Sequence, residues 1–300
     1  MIRYPEATQA QILAQIAALK PDWMQKAAEE TAKVVTAGYF TPPKPTVKGG
    51  KKGKAPPSIW SDVKIVYMRL QQFKCIFCER AMAEEEGSIE HDVEHFRPKN
   101  ALKAWRAPKP LATVPHLAGG AADTGYYWLA FDTGNYAAAC KPCNSTQKSS
   151  YFPIAGARGK AVDSIAQLDH EEQPLVIFPM VEDPASLITF NGILAVPVHS
   201  SGPKHVRAAV TIALFKLNTR EELRSDRFRA IRSVFSAYEL LQTTTSDVKK
   251  QDAALQLIEL TSVNSPQSGC AKAYLDVLKS DPNRGWEVYL EARAYLTKGE

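Results

Sequence analysis

Two Cys-x-x-Cys pairs, Cys75-Ile-Phe-Cys78 and Cys140-Lys-Pro-Cys143, constrain this chain more than any other feature. A two-residue gap lets both sulfurs of a pair reach one ion, and four thiolates form the tetrahedral set that zinc prefers. Five cysteines in 300 residues is too few for a disulfide scaffold, and paired spacing in a long chain points to metal instead. Four protein ligands leave no open position for water, so this zinc is expected to be structural. Residues 79 to 139, 61 of them, separate Cys78 from Cys140. That is longer than a compact zinc ribbon needs, so the insert is expected to do something else. Cys270 has no partner in the pattern and reads as a small core residue.

The insert contains Glu90-His91-Asp92-Val93-Glu94-His95-Phe96-Arg97-Pro98-Lys99. Its first six residues hold two histidines and three acids. That density suits a divalent ion and a general base; a charged surface cluster is the plainer alternative. His91 reads as loop leading into a strand, though it and Asp92 could also approach an ion. The net charge of +5 and isoelectric point near 8.8 are compatible with nucleic acid without specifying it. No stretch approaches the ~20 apolar residues that span a bilayer, and the first residues lack a signal-peptide pattern. A cytoplasmic protein without a membrane segment is expected.

Elsewhere the patterning reads as helix, linker and hairpin. Residues 7–37 carry helix formers with Ile12, Ile16 and Leu19 at helical spacing, and Pro21 opens a second helix. Residues 41–57, rich in Pro, Gly and Lys, suit neither helix nor core. They read as a basic linker, or as an arm whose Lys51, Lys52 and Lys54 meet phosphates. Residues 58–74 look helical again. Asn191-Gly192 between apolar runs signals a β-hairpin, and residues 204–298 read as a helical bundle with a break at Asp281-Pro282-Asn283. Three parts are expected: 1–57, helices and basic linker; 58–155, the chemical core; and 156–300, hairpin and helices.

Taken together, Cys75-x-x-Cys78, Glu94-His95-Phe96-Arg97-Pro98-Lys99, Tyr127-Trp128-Leu129-Ala130, Gly134-Asn135-Tyr136, Cys140-x-x-Cys143-Asn144, Lys148 and Phe152-Pro153 resemble the HNH (ββα-metal) endonuclease family. The pattern is most similar to the PtuB-like branch, the nuclease partners of an ATPase in Septu-type antiphage systems. The likeness is close over about 80 residues and weaker into the first C-terminal helices.

The resemblance implies an α+β fold: a zinc-braced ββα-metal core flanked by N-terminal helices and by a C-terminal β-hairpin plus helical region. It implies metal-dependent hydrolysis of phosphodiester bonds, with DNA as the expected substrate, in prokaryotic antiphage defence beside a PtuA-like ATPase. His95 matches the general base, Glu94 the acidic metal ligand, and Asn135 the residue that fixes the loop aiming the base. Asn144 stands where many members place a last histidine, so the chain is an HNN variant. With Glu94 it offers oxygen ligands, which suit Mg²⁺ or Mn²⁺ better than Zn²⁺. Lys148 is a candidate catalytic residue at phosphate, displaced by one position from the shortest family patterns. Arg97 and Lys99 are candidate nucleic-acid contacts. A non-catalytic zinc-braced binding or adaptor module and an RNA-directed nuclease are the alternatives; the first has no need of Glu94, His95, Asn135 and Asn144 together.

Overall fold

A computed structural model describes residues 1–42, 54–83, 90–112, 122 and 124–297. The chain is α+β, and it divides into two compact units. One comprises residues 5–73 and 83–176, the other residues 1–4, 74–82 and 177–300. This differs from the three-part division expected. The N-terminal helices belong to the same unit as the Glu90–Lys99 segment, and the Cys75–Cys78 turn belongs with the C-terminal helices.

In the first unit, helices α1 (Gln9–Leu19) and α2 (Trp23–Ala37) lie either side of Pro21. Thr8 caps α1 by accepting from the Gln11 amide, and Gly38 ends α2 in the left-handed conformation (φ 75°) that a glycine adopts without strain. Ile12, Ile16, Trp23, Ala27 and Val34 face the core, whereas Leu19 is exposed. A 3₁₀ turn (Ile59–Val63) runs into α3 (Lys64–Leu70). Strand β1 (His91–His95) pairs antiparallel with β2 (Tyr136–Cys140), with Glu94 opposite Ala137 and His95 opposite Tyr136. Between them lies the one-turn helix α4 (Lys109–Ala112). A wide π-type helical segment, Pro142–Lys148, follows β2 directly, and α5 (Ile165–Glu172) begins on a Ser164–Gln167 capping box.

Strand β2 reads Tyr-Ala-Ala-Ala-Cys and is buried throughout. Alanine is a poor strand former, so tertiary contacts hold it. The Gln71 side chain donates to the Ala138 carbonyl (2.8 Å) and accepts from the Ala138 amide (2.7 Å). Tyr67, also fully buried, donates to the Thr133 carbonyl just before the strand (2.8 Å).

The second unit holds the hairpin β3 (Ile188–Asn191) and β4 (Leu194–Pro197) and five helices: α6 (Gly202–Leu214), α7 (Glu221–Thr243), α8 (Asp247–Thr261), α9 (Ser268–Ser280) and α10 (Pro282–Thr297). The hairpin turn is Gly192-Ile193, closed by Asn191 and Leu194, one residue beyond the Asn-Gly pair read from sequence. Gly192 takes φ 55°, and Ile193 is buried. The buried Arg227 guanidinium donates to the carbonyls of Ile193 (2.9 Å) and Leu217 (2.7 Å), so the turn is fixed from inside. Cys270 is buried, as its isolation suggests, and burial pushes its thiol up to about 12. No helix among the described residues is long and apolar enough to cross a membrane.

Candidate active site and metal centre

The four knuckle cysteines come together. Cys75, Cys78, Cys140 and Cys143 are all buried, with ligand atoms within 4.8 Å of one another. Tetrahedral coordination at ~2.3 Å per Zn–S bond needs sulfurs spaced within that limit, and a set of four cysteines matches a closed structural site. The cluster therefore suits a metal such as zinc. On the Cys75 side, the turn is set by the Cys75 amide donating to Arg80 (3.0 Å) and the Glu79 amide donating to Cys75 (3.0 Å).

The acidic-histidine segment forms β1, and the backbone beyond this strand is tied down by Asn135. Its side-chain oxygen accepts from the Arg97 amide (2.7 Å), and its nitrogen donates to the carbonyls of Arg97 (3.0 Å) and Leu129 (3.1 Å). Three directed bonds from one fully buried amide hold the chain in place immediately after His95. Gly125 lets the next stretch close up: a Cβ there would collide with the carbonyl oxygens of Pro98 and Asn100. Asn135 thus ties down the loop after His95 and lies 1% exposed.

His95 is buried beneath Trp60 and Tyr136, with ring centroids 4.8 and 5.0 Å away. Its Nε2 lies 3.0 Å from the Ala130 carbonyl. A carbonyl only accepts, so Nε2 carries the proton and the lone pair resides on Nδ1. The Tyr136 hydroxyl also donates to Ala130 (2.6 Å). Burial, then the Lys99 charge, hold the imidazole well below its usual pKa, so the ring is neutral at pH 7.

Glu94 and Lys148 form a buried pair, Nζ to Oε1 2.5 Å. Lys148 also donates to the His95 carbonyl (2.9 Å). Burial raises the Glu94 carboxyl and lowers the Lys148 ammonium, and their mutual attraction opposes both shifts. Lys148 has no exposed surface. This corrects its expected place at phosphate: it holds the Glu94 carboxylate and the His95 backbone carbonyl. Arg97 is corrected in the same way. Its guanidinium is 1% exposed, pairs with Glu172 (3.0 Å) and Asp169 (2.8 Å), and lies against Phe96, Tyr126 and Phe152. A group so enclosed braces the fold and does not reach a phosphate.

Glu94, His95, Lys99 and Asn144 share the wall of one open cavity of about 270 Å³, with Asp92, Trp60 and several serines. His91 stands apart at the start of β1, with Nε2 2.8 Å from the Ala83 carbonyl. Lys54 is exposed, whereas Lys51 and Lys52 lie outside the described residues. Trp60 and the serines were not singled out from the sequence; nothing local marks them, because only the fold brings 58–61 and 144–150 to β1.

A hard divalent ion commonly takes one or two protein carboxylates and keeps several waters. Glu94 and the Asn144 amide oxygen fit that sparse oxygen set, although Lys148 competes for Glu94. Among the described residues, no group of three or more His, Cys, Asp or Glu suited to a metal occurs besides the four cysteines. Comparison with family models, curated proteins and solved structures finds no match for the chain.

Proposed function

We propose that this chain is a metal-dependent nuclease of the HNH type that hydrolyses phosphodiester bonds, with DNA as its first substrate. The observation that carries the reading is the shared cavity wall of Glu94, His95, Lys99 and Asn144, together with the tautomer set on His95 by Ala130. A neutral imidazole with its lone pair on Nδ1 can take a proton from water. Glu94 and Asn144 would hold Mg²⁺ or Mn²⁺, which supplies neutralisation of phosphate charge and polarisation of the leaving oxygen. Asn135 holds the loop that aims the imidazole, and Lys148 fixes the Glu94 carboxylate and the His95 carbonyl. The four-cysteine zinc braces the fold and takes no part in the chemistry. The sequence resemblance supports a role in antiphage defence, under control of a partner ATPase.

The test is nicking of supercoiled plasmid with Mg²⁺, Mn²⁺ or EDTA, beside His95→Ala and an RNA substrate. Divalent-ion-dependent cleavage lost in His95→Ala supports the reading. Cleavage of RNA alone redirects the substrate. Absence of cleavage with the partner present leaves a zinc-braced binding module.

A further inference from the structure

Lys99 sits at the cavity with Glu94 and Asp92 near enough to attract its charge, yet makes no salt bridge among the described residues. Its Nζ lies 4.3 Å from the Trp60 ring centroid and 5.4 Å from that of Phe40. Among the described residues no carboxylate lies within ion-pair distance of it. Its nearest polar partner is the lone pair of His95 Nδ1, at 3.3 Å. An ammonium only donates, so in this state it caps the one nitrogen of His95 able to accept a proton. The contact is long for a hydrogen bond, near the limit at which such bonds hold, and is easily exchanged for a better acceptor.

We propose, building on the nuclease reading, that Lys99 is a substrate-gated cap: a phosphodiester entering the cavity draws the ammonium onto a phosphate oxygen and thereby frees Nδ1 of His95. The exchange is favourable on simple grounds. A lysine half-buried against two rings gains a direct salt-bridge partner, and a charge-assisted bond to phosphate is roughly twice as strong as a neutral one. The ammonium itself rests over the Trp60 and Phe40 rings, and the exchange gives up part of that cation–π contact for a charge-assisted bond to phosphate. The cavity wall offers neutral donors from Asn100, Asn144, Ser145, Ser149 and Ser150 to complete a phosphate's hydrogen bonds. Water reaching the empty protein thus meets an occupied base, while water arriving with a phosphate meets an open one.

The experiment uses the full zinc-loaded chain, with ¹⁵N-labelled histidine and no added Mg²⁺ or Mn²⁺. Inorganic phosphate and dimethyl phosphate are titrated at fixed pH while the His95 Nδ1 resonance is followed. Both probes should move Nδ1 toward the position of a bare imidazole nitrogen, and chloride at equal ionic strength should not. Lys99→Met should show the bare position from the start and bind phosphate about tenfold or more weakly, the worth of one hydrogen bond to a charged group. Lys99→Arg should restore binding. An Nδ1 resonance indifferent to phosphate, or unchanged phosphate affinity in Lys99→Met, overturns the cap. Plasmid cleavage separates this from the reading beneath it. Cleavage without an Nδ1 response leaves the nuclease standing and removes the cap, whereas an Nδ1 response without cleavage of any nucleic acid retains the cap and removes the nuclease.

Discussion

Arg97→Met separates a brace from a phosphate contact. Methionine keeps most of the aliphatic stem but removes the guanidinium from between Glu172 and Asp169. Glu172 has no exposed surface and would remain with two neutral donors, the Tyr126 hydroxyl (2.6 Å) and the Gly159 amide (3.2 Å). Breaking a buried ion pair from one side costs ~3–5 kcal/mol. The two surviving donors favour the lower end, about 3 kcal/mol. For a unit of this size, each kcal/mol shifts the midpoint by roughly 2–4 °C, giving a fall in Tm of about 6–12 °C. Scanning calorimetry or urea titration reads this directly. The companion double variant Arg97→Met/Glu172→Leu should recover much of the loss, because replacing both partners by apolar groups removes the stranded charge. A single variant with the parent's Tm and weakened DNA binding would refute the reasoning and return Arg97 to the phosphate backbone.

Cys75→Ser should lose the bound zinc by atomic absorption and melt well below the parent, since metal binding contributes folding free energy; Cys270→Ser should keep the zinc. His95→Ala should fold and retain zinc yet cleave plasmid ~10²–10⁴-fold more slowly, the usual contribution of a positioned base. Lys99 provides a pH test. Burial lowers its ammonium to about 8, below the value near 10.4 of an unfolded lysine, so between these the unfolded chain binds more protons. Stability of the parent relative to Lys99→Met should therefore rise as pH goes from about 8 to 10, measured by urea unfolding at pH 7 and 9.5.

The four-cysteine cluster was legible because cysteines at this fixed spacing have few other uses, and the structure brings their sulfurs together. The helical regions 7–37, 58–74 and 204–298 were legible from periodicity, whereas the short α4, α5 and the Pro142–Lys148 segment were not. Strand β2 was not legible from propensity: Tyr136 to Cys140 contains three alanines, and it is a strand only because Gln71 and β1 pair with it. The Asn-Gly signal found the hairpin and missed the turn by one residue, since burying Ile193 beside Arg227 outweighs the local preference. Charge misled at Arg97 and Lys148. A basic residue beside a candidate base suggests phosphate, but Glu172 and Glu94 are the acids that claim them, and sequence distance hides both pairings.

Two-stranded sheets are marginal in water, and an unpaired edge invites pairing with another chain. Where Gln71 clips Ala138, a side-chain amide presents the same donor and acceptor that a third strand would present. One residue of α3's trailing turn thus does for β2, at its midpoint, what an added strand does elsewhere. It supplies pairing without creating a further edge, so a strand poor in intrinsic strand formers is guarded against recruiting a neighbour's backbone while it carries Tyr136 against His95.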